Sequence, residues 1–487
     1  MPSSHSSPPP LLDPALNRFP EHVRRIHLMG ICGTGMGALA GMLKAAGYEV
    51  TGSDQHVYPP MSDFLAASGI PVAEGYKAAN LEPRPDLVVV GNVITRQNPE
   101  AQALAAAAIP YLSFPQTLSR CFILGKMSLV VAGTHGKTTT SSLLATLLHT
   151  AGLAPSFMIG GLVQAFGRNY TLGAGPHFVA EGDEYDTAFF DKGPKFLHYR
   201  PHIVILTSIE LDHVDIYRDL EAVKTSFRRL VAIMPPDGCL VACLDDPVVA
   251  EVTAAAPCPV LGYGLGPRLA WRLADLDIAP GATSFTVLKE GMDYGRFSSI
   301  LPGRHNALNA LAVIAVLDRL GVGREPIAAG LRSFAGVKRR QEVRGTVRGV
   351  TVIDDFAHHP TAVRETLAAL RAAYAGRRLV AVFDPRTNTS RRKVFQQAYV
   401  EAFDDADLVL VREPEGMDKI PEAERFSAAQ LVADLVRRGR AARYFTDTEG
   451  VLGFLRQAAA AGDVVAILSN GGFDNIHNRL LALLQSG

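Results

Sequence analysis

Short apolar runs alternate with longer, helical-looking segments along most of the chain. The first apolar run covers residues 23–30, and the helical-looking segment MGALAGMLKAAG follows it. Two further runs, YEVTGSD and PDLVVVGNVI, come next with helical segments around them. Buried parallel strands that alternate with helices produce this pattern. The sequence therefore predicts βαβ units on a parallel sheet with helices on both faces.

The same order of strand, loop and helix starts twice more. MSLVVAGTHGKTTTSSLLATLLHTAG opens a second unit and TVIDDFAHHPTAVRETLAAL a third. For 487 residues, three domains is the expected number. We predict an α/β fold with a Rossmann-like nucleotide-binding domain (22–124), a P-loop ATPase-like central domain (125–343) and a Rossmann-like C-terminal domain (344–487). Residues 1–21, rich in Pro and Ser, are predicted to be a disordered tail.

Composition excludes several functional classes. The 48 Lys and Arg residues balance 48 Asp and Glu residues, so no net charge favours nucleic acid or an anionic membrane. The five cysteines have no CxxC spacing, which argues against a zinc site and a disulfide scaffold. No apolar run reaches the roughly 18 residues of a membrane span. We expect a cytoplasmic protein.

A first glycine-rich loop, GICGTGMG, follows the first predicted strand. Gly30, Gly33 and Gly35 would allow a close backbone approach to a phosphate at the start of a helix. Asp54 ends the next strand, where a carboxylate can meet a ribose hydroxyl. The loop fits GxGxxG only loosely, so a tight turn without a ligand stays an alternative, and an NAD(P)-dependent oxidoreductase is one functional alternative.

A second glycine-rich loop, GTHGKTTT over residues 133–140, separates an apolar strand from a long amphipathic helix. Its amides can cradle phosphates, Lys137 can reach the outer phosphates and a hydroxyl can bind Mg²⁺. Val131 stands where the strict P-loop pattern has its first glycine. The loop nevertheless predicts a triphosphate site, with ATP as the expected ligand; a chance helix cap is the alternative.

Acidic and histidine residues follow two later strands. Glu181, Asp183 and Glu184 come after one of them, and Asp212 and His213 after another. Carboxylates opposite a P-loop suit Mg²⁺, and the carboxyl edge of such a sheet is where ligands collect. A solvated turn and a structural histidine are the alternatives. Asn306 and Asn309, three residues apart, would share one face of a helix, which they could also simply cap.

Six motifs in order resemble the Mur ligase family: GTHGKTTT, EGDEYD, LDH, HNALNA, VKRR and DDFAHHP. The family joins amino acids or peptides to UDP-muramoyl carboxylates in cell-wall synthesis. VYPPMSDFL, EGDEYDTAFFDKGPKFLHYRP, FDPRTNTSRRKVF and SNGGFDNIHNRL are similar to its recycling branch, which adds the tripeptide L-Ala-γ-D-Glu-meso-diaminopimelate to UDP-N-acetylmuramate. The L-alanine-adding branch stays an alternative, as does a non-catalytic UDP-muropeptide sensor.

The resemblance implies a role for each matching residue. ATP and Mg²⁺ would be required, with UDP-N-acetylmuramate and the murein tripeptide as the binding partners of a monomer. Catalysis would use Lys137, Glu181, His213 and Arg340, and Mg²⁺ would bind Thr138, Glu181 and His213. UDP would contact Gly33, Thr34, Gly35, Ser53 and Asp54. ATP would contact Gly133, Thr134, His135, Gly136, Lys137, Thr138, Thr139, His305, Asn306, Asn309, Arg340, Asp355 and His358.

Two further parts of the sequence bear on the peptide contact and on a lysine found in related ligases. Arg386 in FDPRTNT ends a predicted strand, where its guanidinium could grip a peptide carboxylate. The resemblance favours Arg386 and Asn388 as peptide contacts; a surface arginine is the alternative. Related ligases carry a carbamylated lysine after the LDH motif, but Phe227 occupies the aligned place here, and we assign Lys224 no such role.

Overall fold

The computed structural model describes residues 12–486. Its three large sheets, in which most strand pairs are parallel, confirm the predicted α/β fold. Among the described residues, no helix combines the length and apolarity needed to cross a membrane. Residues 1–11 of the predicted tail lie outside the described part. The rest of the tail is ordered, which corrects the prediction: Leu12 is buried and Asn17 Nδ2 donates to the Tyr111 carbonyl at 3.1 Å. Local composition misses this docking because the partners are about a hundred residues away.

The first domain carries a five-stranded parallel sheet in the order β3-β2-β1-β4-β5. Apolar strands are buried on both faces because helices cover both sides. Its strands are β1 (Arg25–Met29), β2 (Glu49–Asp54), β3 (Val72–Glu74), β4 (Leu87–Val90) and β5 (Tyr111–Ser113), and its helices are α1 (Thr34–Ala45), α2 (Met61–Ala67), α3 (Pro99–Ala106) and α4 (Phe114–Leu118).

The middle domain is built on a ten-stranded sheet in the order β17-β16-β15-β14-β13-β12-β6-β9-β7-β8, beside a separate β10–β11 hairpin. The strands are β6 (Met127–Ala132), β7 (Ser156–Val163), β8 (Arg168–Thr171), β9 (His177–Gly182), β10 (Asp186–Ala188), β11 (Asp191–Pro194), β12 (Ile203–Leu206), β13 (Cys239–Cys243), β14 (Val260–Gly264), β15 (Trp271–Ala279), β16 (Ala282–Lys289) and β17 (Met292–Ser299). The helices are α5 (Lys137–Thr150), α6 (Leu220–Ala232), α7 (Pro247–Thr253), α8 (Arg304–Arg319) and α9 (Arg324–Ser333).

The third domain has a six-stranded sheet in the order β18-β19-β23-β20-β21-β22, parallel except for β18. Its strands are β18 (Glu342–Val347), β19 (Val350–Asp355), β20 (Leu379–Phe383), β21 (Leu408–Arg412), β22 (Ala441–Phe445) and β23 (Val464–Leu468), and its helices are α10 (Pro360–Ala373), α11 (Gln396–Ala402), α12 (Ala428–Arg437), α13 (Thr448–Ala458) and α14 (Ile476–Ser486). Since β18 begins at Glu342, the third sheet starts two residues before the predicted domain limit.

The register of the middle sheet brings three loops together. Ala132 at the end of β6 pairs with Gly182 at the end of β9 and with Leu206 at the end of β12. The P-loop, the acidic EGDEYD segment and the segment that leads to His213 therefore leave the sheet side by side. This edge is where ligands bind in open α/β sheets.

Substitution of two helix glycines by alanine should change the free energy of unfolding in opposite directions. Gly330 in α9 is buried, and a Cβ there would lie 2.7 Å from Leu147 Cγ of α5. Gly453 in α13 is exposed, with open space around its Cβ position. We expect Gly330→Ala to lose about 1–3 kcal/mol through overpacking, and Gly453→Ala to gain about 0.5–1 kcal/mol from helix propensity. Calorimetric unfolding of the two variants checks this; a stabilised Gly330→Ala would contradict the described packing of α9 on α5.

Candidate active site

The P-loop connects β6 to α5 and contains two glycines at which a larger residue would be strained. Gly133 has φ +129° and Gly136 has φ +80°. A Cβ on Gly133 would lie 2.2 Å from Thr207 Oγ1, and one on Gly136 would lie 2.9 Å from Asn309 Oδ1. The loop thus delivers its backbone amides to the start of α5, where the helix dipole favours an anion.

Lys137 is buried below the loop, paired with a carboxylate. Its Nζ donates to the Gly133 carbonyl at 2.6 Å and to Glu184 Oε2 at 2.9 Å. Burial alone would lower the pKa of Lys137, but Glu184 and Asp183 raise it above its ordinary value. Burial would likewise raise the pKa of Glu184, yet Lys137 and His213 hold it below its usual range. The two side chains therefore form a buried ion pair.

Thr138 and Glu181 form the oxygen-rich part of the site. Thr138 Oγ1 donates to Glu181 Oε1 at 2.9 Å, and Arg340 Nη2 donates to Thr138 Oγ1 at 3.2 Å. Burial and the neighbouring Asp183 raise the pKa of Glu181. A divalent cation would offset this buried negative charge, and oxygen donors are the ligands that Mg²⁺ prefers. The residues present therefore fit Mg²⁺.

His213 approaches this group from β12 without touching Thr138. Its Nε2 lies 3.3 Å from Glu184 Oε1, and its backbone has φ +52°. Burial would lower the pKa of His213, but Glu184 and Asp212 raise it. Of the three predicted Mg²⁺ ligands, Thr138 and Glu181 are in direct contact, whereas His213 is paired with Glu184.

A cavity of about 1150 Å³ lies above the P-loop, between the middle and C-terminal domains. The nine predicted ATP residues on its wall are His135, Gly136, Thr138, Thr139, His305, Asn306, Asn309, Arg340 and Asp355. The other four predicted ATP residues, Gly133, Thr134, Lys137 and His358, do not line this cavity. His358 instead donates a hydrogen bond from Nδ1 to the Phe356 carbonyl.

The C-terminal wall of this cavity is held by backbone amides. Asp355 accepts from the Gln341 and Ala357 amides, each at 2.8 Å, and burial raises its pKa. Arg340 stacks on Phe356, with 4.7 Å from its guanidinium carbon to the ring centroid. The linker between the two domains therefore brings Arg340 to the P-loop.

A second cavity of about 490 Å³ lies between the first and middle domains. Gly33, Thr34, Gly35 and Asp54 line one side, and Glu181 lines the other. Asp54 Oδ2 accepts from the Cys32 amide at 2.8 Å and so fixes the loop.

Ser53 is the exception among the predicted UDP residues. Its side chain is fully buried and donates to Glu100 Oε1 at 2.7 Å, within a network that includes His27. Successive strand side chains point to opposite faces, so Ser53 faces the core while Asp54 reaches the cavity. The structure therefore does not bring the Ser53 side chain to the site, which corrects that prediction.

The two cavities meet at one hydrogen bond. Thr138 lines the first cavity and Glu181 lines the second, and their oxygens are 2.9 Å apart. A group in either cavity can therefore contact one member of this hydrogen-bonded pair.

The predicted peptide residues lie in the loop after β20. Arg386 is 40% exposed, with Glu415 Oε2 at 4.0 Å as its nearest carboxylate. Asn388 Nδ2 donates to Asp215 Oδ2 of the middle domain at 2.9 Å. Neither lines the two cavities. Lys224 points elsewhere, bonded to Glu251 at 2.7 Å, and Phe227 is buried.

Sequence reasoning placed Glu184 among the candidate Mg²⁺ carboxylates without its lysine partner, and it assigned no role to Arg412. Glu184 stands in the acidic run that drew attention to Glu181, but nothing in the run says which carboxylate meets Lys137. Arg412 is 2% exposed and lies 3.1 Å from Asp384, over the Phe473 ring. No local pattern marks Arg412, because its partners come from distant strands.

Two histidines and Glu210 lie at the boundary between the middle and C-terminal domains. His135 Nε2 donates to Glu210 Oε2 at 2.9 Å. His359, at the start of α10, donates from Nε2 to the Leu211 carbonyl at 3.1 Å. Burial lowers the pKa of His359 to about 4. The imidazole is therefore neutral near pH 7.

The comparisons with known proteins agree along the whole chain. Three family models match in succession: "Mur ligase family, catalytic domain" over residues 25–123, "Mur ligase middle domain" over 131–317 and "Mur ligase, glutamate ligase domain" over 339–471. The UDP-N-acetylmuramate–L-alanyl-γ-D-glutamyl-meso-2,6-diaminoheptandioate ligase of Escherichia coli K12 is 41% identical, covering 94% of this chain and 97% of its own. The chain belongs to the Mur ligase family. The predicted resemblance is confirmed, and the oxidoreductase alternative is wrong.

Two other relatives of this Mur ligase bear on its branch. A UDP-N-acetylmuramate–L-alanine ligase of Arthrobacter sp. FB24 is also 41% identical, but covers 86% of this chain and 87% of its own. The crystal structure of a murein peptide ligase from Psychrobacter arcticus has a TM-score of 0.70 at 35% identity, covering 95% of this chain and 99% of that one. Mur ligases are ATP-dependent enzymes that form C–N bonds and generally use Mg²⁺.

His359 generates a pH prediction. Its folded pKa of about 4 lies below the ordinary 6.5, so the unfolded chain binds the proton first as pH falls. Stability should therefore drop between pH 6.5 and 4, by up to about 1.4 kcal/mol per pH unit from this group. His359→Asn, which keeps an N-cap acceptor, should flatten that slope, whereas the exposed His149→Asn should not. Denaturant unfolding at several pH values measures it; equal slopes would argue against a buried neutral His359.

Proposed function

We propose that this chain joins the tripeptide L-Ala-γ-D-Glu-meso-diaminopimelate to the carboxylate of UDP-N-acetylmuramate, with conversion of ATP to ADP and phosphate, in peptidoglycan recycling. The hydrogen bond between Thr138 and Glu181, where the two cavities meet, carries this proposal. ATP in the larger cavity and UDP-N-acetylmuramate in the smaller one would bring the γ-phosphate and the carboxylate together there. The proposal includes a cytoplasmic monomer without nucleic-acid or membrane partners.

The chemistry needs activation because an oxide is too poor a leaving group for amide formation in water. Transfer of the γ-phosphoryl group to the muramoyl carboxylate forms an acyl phosphate and ADP. The α-amine of the peptide then attacks the acyl carbon, and the tetrahedral intermediate expels phosphate. Exclusion of water between these steps protects the acyl phosphate from hydrolysis.

The protein's main task is to hold two anions together. Arg340 donates to Thr138 at the junction of the cavities and Lys137 pairs with Glu184 beside it, and preorganised positive charge stabilises phosphoryl transfer. Thr138, Glu181 and His213 would hold Mg²⁺, which neutralises phosphate charge when bound. Glu184 and the Gly133 carbonyl hold the Lys137 ammonium beside the P-loop, and phosphate oxygens of ATP would compete for these contacts.

The tripeptide is favoured over L-alanine by two observations. The E. coli relative named for the tripeptide substrate covers almost the whole chain, whereas the equally identical L-alanine ligase covers less of it. The loop after β20 carries an exposed guanidinium at Arg386. The tripeptide has carboxylates on its second and third residues, remote from the reacting amine, that could reach it, whereas the carboxylate of L-alanine lies next to the amine. L-alanine ligation is the second candidate, because of the 41% identity to a ligase of that name.

Release of phosphate from ATP tests the proposal directly. With UDP-N-acetylmuramate present, we expect the tripeptide to give at least about tenfold higher kcat/KM than L-alanine, a difference of about 1.4 kcal/mol in transition-state binding. Faster turnover with L-alanine would assign the chain to the second candidate. No phosphate release with either amine would support a sensor instead of an enzyme.

Lys137→Ala separates chemistry from substrate binding in the same assay. Loss of a preorganised cation should lower kcat by at least about a hundredfold. Binding of UDP-N-acetylmuramate should stay nearly unchanged, because Lys137 does not line the second cavity. Retained turnover, or lost UDP-substrate binding with the fold intact, would count against the site.

Arg386→Ala tests the peptide contact. A charged hydrogen bond to a carboxylate is worth about 1.5–3 kcal/mol, so the apparent KM for the tripeptide should rise roughly tenfold or more. Arg437→Ala, which removes an exposed arginine of α12 in the same domain, should leave it unchanged. If both variants kept the wild-type KM, Arg386 would be only a surface residue.

A further inference from the structure

Three side chains from distant parts of the chain converge at the edge of the larger cavity. His135 belongs to the P-loop, Glu210 follows β12 and His359 opens α10 of the C-terminal domain. Their ligand atoms lie within 4.8 Å of one another: Glu210 Oε2 is 2.9 Å from His135 Nε2 and 3.5 Å from His359 Nδ1. Within residues 12–486, no other group of three such side chains is this close.

The hydrogen bonds of His359 fix which nitrogen has a lone pair. A carbonyl only accepts, so the Leu211 carbonyl requires the proton on His359 Nε2. Nδ1 therefore carries a lone pair, used only by the Thr361 amide at 3.3 Å. The same lone pair lies 3.5 Å from Glu210, whose pKa His135 and His359 hold below its usual range despite burial. Two acceptors thus face each other with no proton between them.

We propose that His135, Glu210 and His359 form a binding site for a transition-metal dication of the Zn²⁺ type, distinct from the Mg²⁺ site. Two imidazoles and one carboxylate are ligands that Zn²⁺ prefers, whereas Mg²⁺ prefers oxygen alone. Tetrahedral ligands about 2.0–2.1 Å from zinc lie about 3.3 Å apart, so the distances of 2.9 and 3.5 Å need little adjustment. Binding uses the lone pair of His135 Nε2, so a neutral imidazole shifts its proton from Nε2 to Nδ1 through solvent, and an imidazolium releases one proton to solvent.

The Leu211 carbonyl supports the site from outside. Ligating histidines typically donate their other N–H to a carbonyl or carboxylate, which sets the tautomer and the ring orientation. His359 already makes this bond, and burial keeps its imidazole neutral, which is the form that binds metal. All three residues line the larger cavity, from which a further ligand could approach the ion.

A bound ion would connect two domains. His135 and Glu210 belong to the middle domain and His359 to the C-terminal domain, so three metal bonds would tie the P-loop to α10. Separation of the domains would then require loss of a ligand. The ion would therefore stabilise the approach of the two domains whichever substrate the enzyme uses, so the inference does not depend on the proposed substrate.

Cobalt(II) tests the site without any turnover. Untagged protein is titrated with Co²⁺ in excess Mg²⁺, which occupies oxygen-rich sites, and the visible absorption of protein-bound Co²⁺ is followed. We expect saturation at one Co²⁺ per chain and displacement by one equivalent of Zn²⁺. Absence of bound Co²⁺ in the wild type would overturn the proposal by itself.

Variants locate the ion. His359→Asn and Glu210→Gln should each weaken Co²⁺ binding at least about tenfold, and the near-isosteric Glu210→Gln decides the matter if the other variant unfolds. Glu181→Gln, at the Mg²⁺ site, and His198→Asn, which removes a His–Asp pair of 2.8 Å without a third ligand, should bind Co²⁺ as the wild type does. Binding lost in Glu181→Gln but kept in Glu210→Gln would place the ion at the Mg²⁺ site and overturn the inference.

Discussion

The parallel alignment of β6, β9 and β12 determines where the P-loop meets the two segments that carry Glu181, Glu184 and His213. Because Ala132 pairs with both Gly182 and Leu206, three loops must share one edge. Lys137 meets Glu184 there, and Thr138 meets Glu181. Slippage of one strand by one residue would turn its side chains to the opposite face. The buried apolar faces of these strands therefore hold the chemistry in register.

The carboxylates at this edge differ in how directly each is paired with a cation. Glu184 pairs with Lys137 and Asp183 pairs with Lys195 at 3.2 Å. Glu181 instead accepts hydrogen bonds from the Thr138 hydroxyl and the Gly160 amide. Burial makes an uncompensated carboxylate costly, which is why the pKa of Glu181 rises while that of Glu184 falls. The site is thus built to accept a cation beside Glu181.

Local pattern was enough to predict the parts of the site that are contiguous in the chain. The alternation of apolar runs and helices predicted three α/β domains, and the P-loop glycines adopt the positive φ that their role needs. The alternation of strand side chains between two faces also explains why Ser53 does not face the second cavity. Ser53 and Asp54 are adjacent, so only one of them can do so.

Pairs across domains could not be predicted in this way. The contact between His359 and the Leu211 carbonyl spans 148 residues, and its existence depends on how two sheets approach each other. Arg412 is buried by partners from separate elements for the same reason. A single sequence shows which amino acids are present, but it does not show which distant residues lie close together in the folded chain.

The division of the core indicates which domain can move. One continuous apolar cluster joins the first domain to the middle one, including Phe122 and Met158. The C-terminal domain keeps two apolar clusters of its own, and hydrogen bonds cross its junction with the middle domain. Asn388 bonds to Asp215 and Thr389 Oγ1 accepts from the His213 amide.

Each such hydrogen bond contributes about 0.5–1.5 kcal/mol net, far less than a shared apolar core. We therefore expect the junction of the C-terminal domain to open at lower cost than the apolar junction between the other two domains. Since Thr389 belongs to the loop that carries Arg386, the same few bonds connect the proposed peptide contact with the His213 backbone. Closure of the C-terminal domain over the peptide would then act on the His213 backbone through this hydrogen bond and would require no change in the middle sheet.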